Sequence, residues 1–240
     1  MSVASVVSRT LATGAAAALV AGGATAASAG TGTTTSPSEN SYQIYRQVQH
    51  SGQFAASNSD AGHTGSPRST TVTTPDGLYS FQVPHAWQAS AVPPPTLPGS
   101  GLSESAYRID NAHGQVRAHF IGGFYGDGAS GPPVHHTVLD TAALPELTTP
   151  AGNPVHYVFE AYGGGDRLTF AARIEVGPVP DDGTYPTSKG QVPLGENGVT
   201  MFGSTLNPAG VSTLSEARAW METAEYDKLK SMLTSLRFHG

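Results

Sequence analysis

Between Val155 and Val176 apolar and polar positions alternate with period two on both sides of a glycine run. Val155, Tyr157, Phe159 and Ala161 share one face before it, and Leu168, Phe170, Ala172, Ile174 and Val176 share one face after it. That period marks strands with a single core-facing side. Gly-Gly tolerates the positive φ of a tight primed turn. A two-residue turn at Gly164-Gly165 sets Phe159 opposite Phe170 and Tyr157 opposite Ala172, so both apolar sets meet one core. A glycine loop that cradles phosphate leads from a strand into a helix. Arg167–Val176 has the period of a strand, so the glycines read as a hairpin tip.

Two more hairpins precede it. In "TTVTTPDGLYSFQVPHAW" (Thr70–Trp87), Pro75-Asp76-Gly77 supplies turn chemistry, and Tyr79, Phe81 and Val83 share a face. In "SAYRID", "NAHG" and "QVRAHFIGGFY", Val116, Ala118 and Phe120 alternate with Arg117 and His119. The intervening "AVPPPTLPGSG" carries four prolines and is not regular structure. "LDTAALPEL" (Leu139–Leu147) predicts one helical turn. The Gly/Pro-rich stretch 177–211 offers only Val199–Phe202 as a strand. At the C-terminus the period changes: Thr213-x-x-Glu216 is a capping box. Tyr226, Leu229, Met232, Leu233 and Leu236 then recur at helical spacing, on one helix or on two broken near Thr223. The pattern predicts an α+β domain, an antiparallel β-sheet of hairpins covered by a C-terminal amphipathic helix.

"YSFQVPHAWQ", from Tyr79, resembles the Phe-x-Val/Ile-Pro-x-x-Trp strand ending of the PsbP-like family of exported bacterial proteins. "YDKLKSMLTSLRF", Tyr226–Phe238, resembles their closing helix. The resemblance implies an α/β sandwich that binds lipids, metals or protein partners, usually without catalytic activity. Many exported members are anchored through a cysteine that this chain lacks, and 177–211 reads as an insertion. No functional residue is transferred.

Arg9 is the only charge in the first 38 residues, and it precedes an Ala/Gly-rich run ending in Ala27-Ser28-Ala29. This is a signal-peptide pattern with cleavage near Ala29. Residues 1–29 are thus read as a signal peptide, 30–69 as a disordered or loosely ordered Thr/Ser/Gly linker, and 70–240 as a single globular domain. Tyr42–Val48 is the linker's one apolar segment, a short helix or an added edge strand. The expected location is secreted, extracellular or in the cell-envelope space, with no transmembrane segment in the mature chain.

There is no cysteine, which excludes disulfides, a thiol nucleophile and Cys-ligated zinc. Without Arg9 the formal charge is 11 − 18 = −7, which argues against nucleic acid or an anionic membrane as partner.

The polar face of the central hairpin carries His156, Glu160, Tyr162, Arg167 and Arg173. The expected register sets His156 opposite Arg173 and Tyr162 opposite Arg167, with Glu160 diagonal to Arg167. These five form the candidate ligand-binding platform; the plainer reading is a solvated sheet face with cross-strand pairs. His135-His136, Asp140 and His119 have metal-ligand chemistry. Adjacent strand residues point to opposite faces, however, so no metal and no cofactor is assigned. Asp181-Asp182-Gly183 reads as a turn rather than a calcium loop. No Gly-x-Ser-x-Gly or His-Glu-x-x-His occurs. Trp87 and Trp220 read as core before sugar- or lipid-site aromatics. The leading expectation is an exported non-enzymatic binding domain for an apolar small molecule, an envelope component or a protein partner. Two alternatives stand beside it. One is a secreted hydrolase using His119, His156 and Glu160, and the other is a carbohydrate-binding β-sandwich with a peripheral terminal helix.

Overall fold

The structure is a computed structural model that describes residues 69–95, 99–126, 131–164, 167–178, 181–187, 190–205 and 207–240. The expected signal peptide, the linker to Arg68 and the segment Tyr42–Val48 lie outside these residues.

Strands take up 50% of the described residues and helices 12%. Twelve strands are described: β1 (Thr70–Thr73), β2 (Tyr79–Val83), β3 (Gln88–Val92), β4 (Ser105–Asp110), β5 (Val116–Phe124), β6 (Pro133–Thr148), β7 (Pro154–Gly164), β8 (Arg167–Val176), β9 (Gly183–Pro186), β10 (Val192–Pro193), β11 (Val199–Ser204) and β12 (Arg237–Phe238). Two helices, α1 (Leu214–Met221) and α2 (Ala224–Thr234), stand between β11 and β12. The large sheet runs β3-β4-β5-β11-β8-β7-β6-β9, with β10 attached to β11, and a separate small sheet runs β1-β2-β12. All the pairings are antiparallel.

This corrects the α+β expectation of one sheet covered by one C-terminal helix. The molecule is mostly antiparallel β, and its helices are two short ones. The first hairpin does not join the large sheet: β2 pairs with β1 and β12 and lies against the large sheet's apolar face. The Phe81 ring sits 5.2 Å from that of Phe120 and 4.9 Å from that of Phe202. Elsewhere on the same face, Phe159 meets Trp220 of α1 and Tyr226 of α2, each at 5.4 Å between ring centroids. The helices are not peripheral, because Trp220, Tyr226, Leu229, Met232 and Leu233 are all buried in the core. Thr213 and Glu216 close the reciprocal capping box that starts α1, and Thr223 caps α2 after the break.

Smaller departures have local causes. Leu139–Leu147 is not a helical turn but part of the 16-residue β6, where Ala142 pairs with Tyr157. Pairing along a long neighbour overrides the helix preference of Ala and Leu. β7 and β8 pair as far as Gly164↔Arg167, so Phe159 faces Ala172 and Tyr157 faces Ile174 rather than the residues two positions earlier. A shift of two keeps every side chain on its own face, and the apolar sets still meet. β3, β9 and β10 come from stretches without a clear strand period.

Candidate functional site

β7 is buried on both faces. Tyr157 and Phe159 point into the core, while His156, Val158 and Glu160 lie on the opposite, outer face at 2%, 0% and 0% exposure. The polar face expected to be solvated is therefore covered. β9 pairs with β6 at the sheet edge, and its Tyr185 reaches onto that outer face. The Tyr185 ring stacks on His136 at 3.9 Å, and its hydroxyl donates to Glu160 Oε2 at 3.4 Å. A few residues later Gly190, at φ +64, lies so close that a Cβ there would stand 3.0 Å from Arg173 Cδ.

Beneath this cover the side chains form one network. Arg173 Nη2 is 2.6 Å from Glu160 Oε1 and 2.8 Å from Glu175 Oε2, a Glu–Arg–Glu triad. Glu160 Oε2 lies 3.1 Å from Nδ1 of His136, which is fully buried. The Tyr162 ring, half-buried, is 5.6 Å from the His136 ring. His156 stands opposite Glu175. Its ring turns toward the Gly177 backbone without a well-formed hydrogen bond.

Each pKa shift has a physical cause. Burial lowers the His156 pKa, and Glu175 offsets only part of that. Burial opposes the Arg173 charge, yet Glu175 and Glu160 together push its pKa up. Burial, then the Glu160 carboxylate, pushes the Tyr185 phenol up to about 12.

Of the five residues read from sequence, His156, Glu160, Tyr162 and Arg173 converge here. The expected pairs are corrected by the two-residue shift: His156 faces Glu175, Tyr162 faces Thr169, and Arg167 opens β8 opposite Gly164. Glu160 bonds Arg173 diagonally in place of Arg167. Tyr185 escaped the sequence reading, and His136 was weighed there only as a metal ligand. The β6 alternation carries the signal for His136, which occupies the outer face beside Tyr162 while His135 is exposed. Tyr185 sits in a Gly/Pro-rich stretch with no period to place it.

The row of paired residues continues across the sheet through Val158, Arg173, Gly203, His119 and Arg108. Gly203 is where β11 and β8 touch. A Cβ there would stand 3.0 Å from Arg173 Cβ and 3.1 Å from Ala172 O. We expect Gly203→Ala to cost about 1–3 kcal/mol in urea unfolding, because overpacking must push β8 or the Arg173 stem aside. An unchanged midpoint would show that the strands yield freely.

Asp140 belongs to the other face, where Lys230 donates to it at 2.6 Å and Tyr226 also donates to it. His119, His136 and Asp140 therefore do not form the metal arrangement considered from sequence. Among the described residues no three His, Asp or Glu side chains converge as metal ligands. Among the described residues no helix is long and apolar enough to cross a membrane. The chain matches no family model, no curated protein and no solved structure.

Proposed function

We propose that the chain is an exported, non-enzymatic binding domain for a cell-envelope component, and that its site is the outer face of β6, β7 and β8. The observation that supports it is the buried Glu160–Arg173–Glu175 triad with His136 and His156 at its flanks. Taking Glu160 and Arg173 out of water costs several kcal/mol per ion, and apolar residues would hold a cover down more cheaply. The core on the opposite face already holds the sheets together, so cohesion does not require the triad. Perturbed, desolvated charges of this kind concentrate at functional sites. Export rests on the signal-peptide pattern of residues 1–29, and the absence of catalysis rests on the PsbP-like resemblance.

The test is binding of the secreted protein to envelope fractions and extracted lipids, followed by native mass spectrometry of what it retains. Saturable binding that weakens at least 10-fold in Glu160→Gln supports the reading. No binding, or binding indifferent to Glu160, overturns it. The contact between His136 and Glu160 favours one second reading, a hydrolase in which the carboxylate orients the imidazole as general base. Turnover of ester or glycoside substrates that His136→Gln abolishes, in a protein whose fold is intact, would establish that instead.

A further inference from the structure

Tyr185 stands on the candidate site in an unusual way. It comes from the edge strand β9, yet it places a ring on His136 and a hydroxyl on Glu160. At 3.4 Å that hydroxyl bond is long, while the 2.6 Å bond from Arg173 to the same carboxylate is tight. Around it, His136 Nε2 and Arg173 Nε are buried without a hydrogen-bond partner, as is one His156 ring nitrogen further along the same face. Each such orphan costs about 1–3 kcal/mol, and a packed interior seldom keeps several together. The closed arrangement therefore leaves hydrogen-bonding capacity unused beside a hydroxyl that is only loosely held.

We propose that Tyr185 is a removable plug that occupies the place of a neutral, hydroxyl-bearing ring ligand, a sugar residue. This inference rests on the binding reading above and names the ligand class of that same site. The charges select against ions of either sign. Two carboxylates against one guanidinium leave the triad negative, which repels an anion, and both carboxylates already engage Arg173, which leaves no bare pair to hold a cation. Neighbouring hydroxyls serve these needs: one donates to Glu160, another donates to an imidazole lone pair, and either accepts from Arg173 Nε–H. The His136 ring, on which Tyr185 stacks at 3.9 Å, supplies the flat surface on which a sugar ring rests. Swinging the Tyr185 side chain outward exposes Glu160 and His136 without breaking the core on the far face, where Trp220 packs on Phe159.

The test is calorimetry and saturation-transfer NMR on the whole domain with glucose, mannose, galactose and N-acetylglucosamine, with inorganic phosphate and ethylammonium as ionic controls. Tyr185→Ala is expected to bind at least one of the sugars 10-fold or more tightly than the wild type, and neither ion. Glu160→Gln added to it is expected to lose at least 10-fold. Trp220 emission reports that the core is intact. Should Tyr185→Ala fail to fold, Tyr185→Phe, which keeps the ring but loses the hydroxyl, carries the same test with a several-fold gain. A folded Tyr185 variant that gains no sugar affinity, prefers an ion, or ignores the Glu160 change overturns the plug. If the wild type holds envelope material and the Tyr185 variants hold it no better, the plug falls and the binding reading stands. If neither wild type nor variants hold anything, both fall.

Discussion

Replacing Arg173 by methionine lowers the unfolding free energy by about 3–5 kcal/mol, the loss expected when one partner leaves a buried ionic network. Methionine keeps most of the stem that Gly190 and Gly203 make room for, so the cost is electrostatic rather than steric. What remains is Glu160, fully buried, and Glu175, partly buried, with no cation between them. The triple variant Arg173→Met, Glu160→Gln, Glu175→Gln is expected to recover most of the loss, since it removes all three charges. Urea unfolding of the single and triple variants at neutral pH reads both. A single-variant loss under 1 kcal/mol would mean that water screens the triad and that the desolvation argument for a functional site is wrong.

Acid is expected to weaken the fold through His119 before it protonates most carboxylates. Burial first, and the Arg108 cation second, hold the His119 pKa down at about 4. An unfolded histidine titrates near 6.5. Between those values the unfolded chain binds a proton that the folded chain does not, so stability rises with pH across the window. His119 therefore contributes fully above about pH 6.5, and its contribution drains away as pH falls toward 4, for a total of about 3 kcal/mol. The His156 shift has the same sign and adds to the loss. Unfolding free energies at intervals between pH 7 and pH 4 should fall less steeply in His119→Gln than in the wild type. Parallel curves would remove His119 as the cause.

The central hairpin was legible because its period is strict. Tyr157, Phe159, Phe170 and Ile174 went into one core from alternation alone, and the capping box at Thr213 fixed the start of α1. The register missed by two because three glycines in a row offer several turns of nearly equal cost, and a shift of two leaves face and core unchanged. The small sheet was not legible: β2 carries the same alternation whether it joins its neighbours or lies across them, and only its β12 partner decides. The candidate site was half legible. His156, Glu160, Tyr162 and Arg173 alternate with core residues, so their shared face follows from the sequence. That the face is buried does not, because the cover is a Gly/Pro-rich segment whose path is set by long-range pairing with β6 and β11.

The strand order also sets the timing of folding. β11 stands between β5 and β8 and joins the consecutive strands β3-β4-β5 to the consecutive strands β6-β7-β8, while β9 returns to the edge at β6. The small sheet likewise gains its third strand only from β12. Every earlier strand can be synthesised while both sheets still have an open edge awaiting a later segment. Such late, distant closures slow folding, since loop entropy is spent before the contacts form. A chain built this way stays pliable until its C-terminal strands arrive.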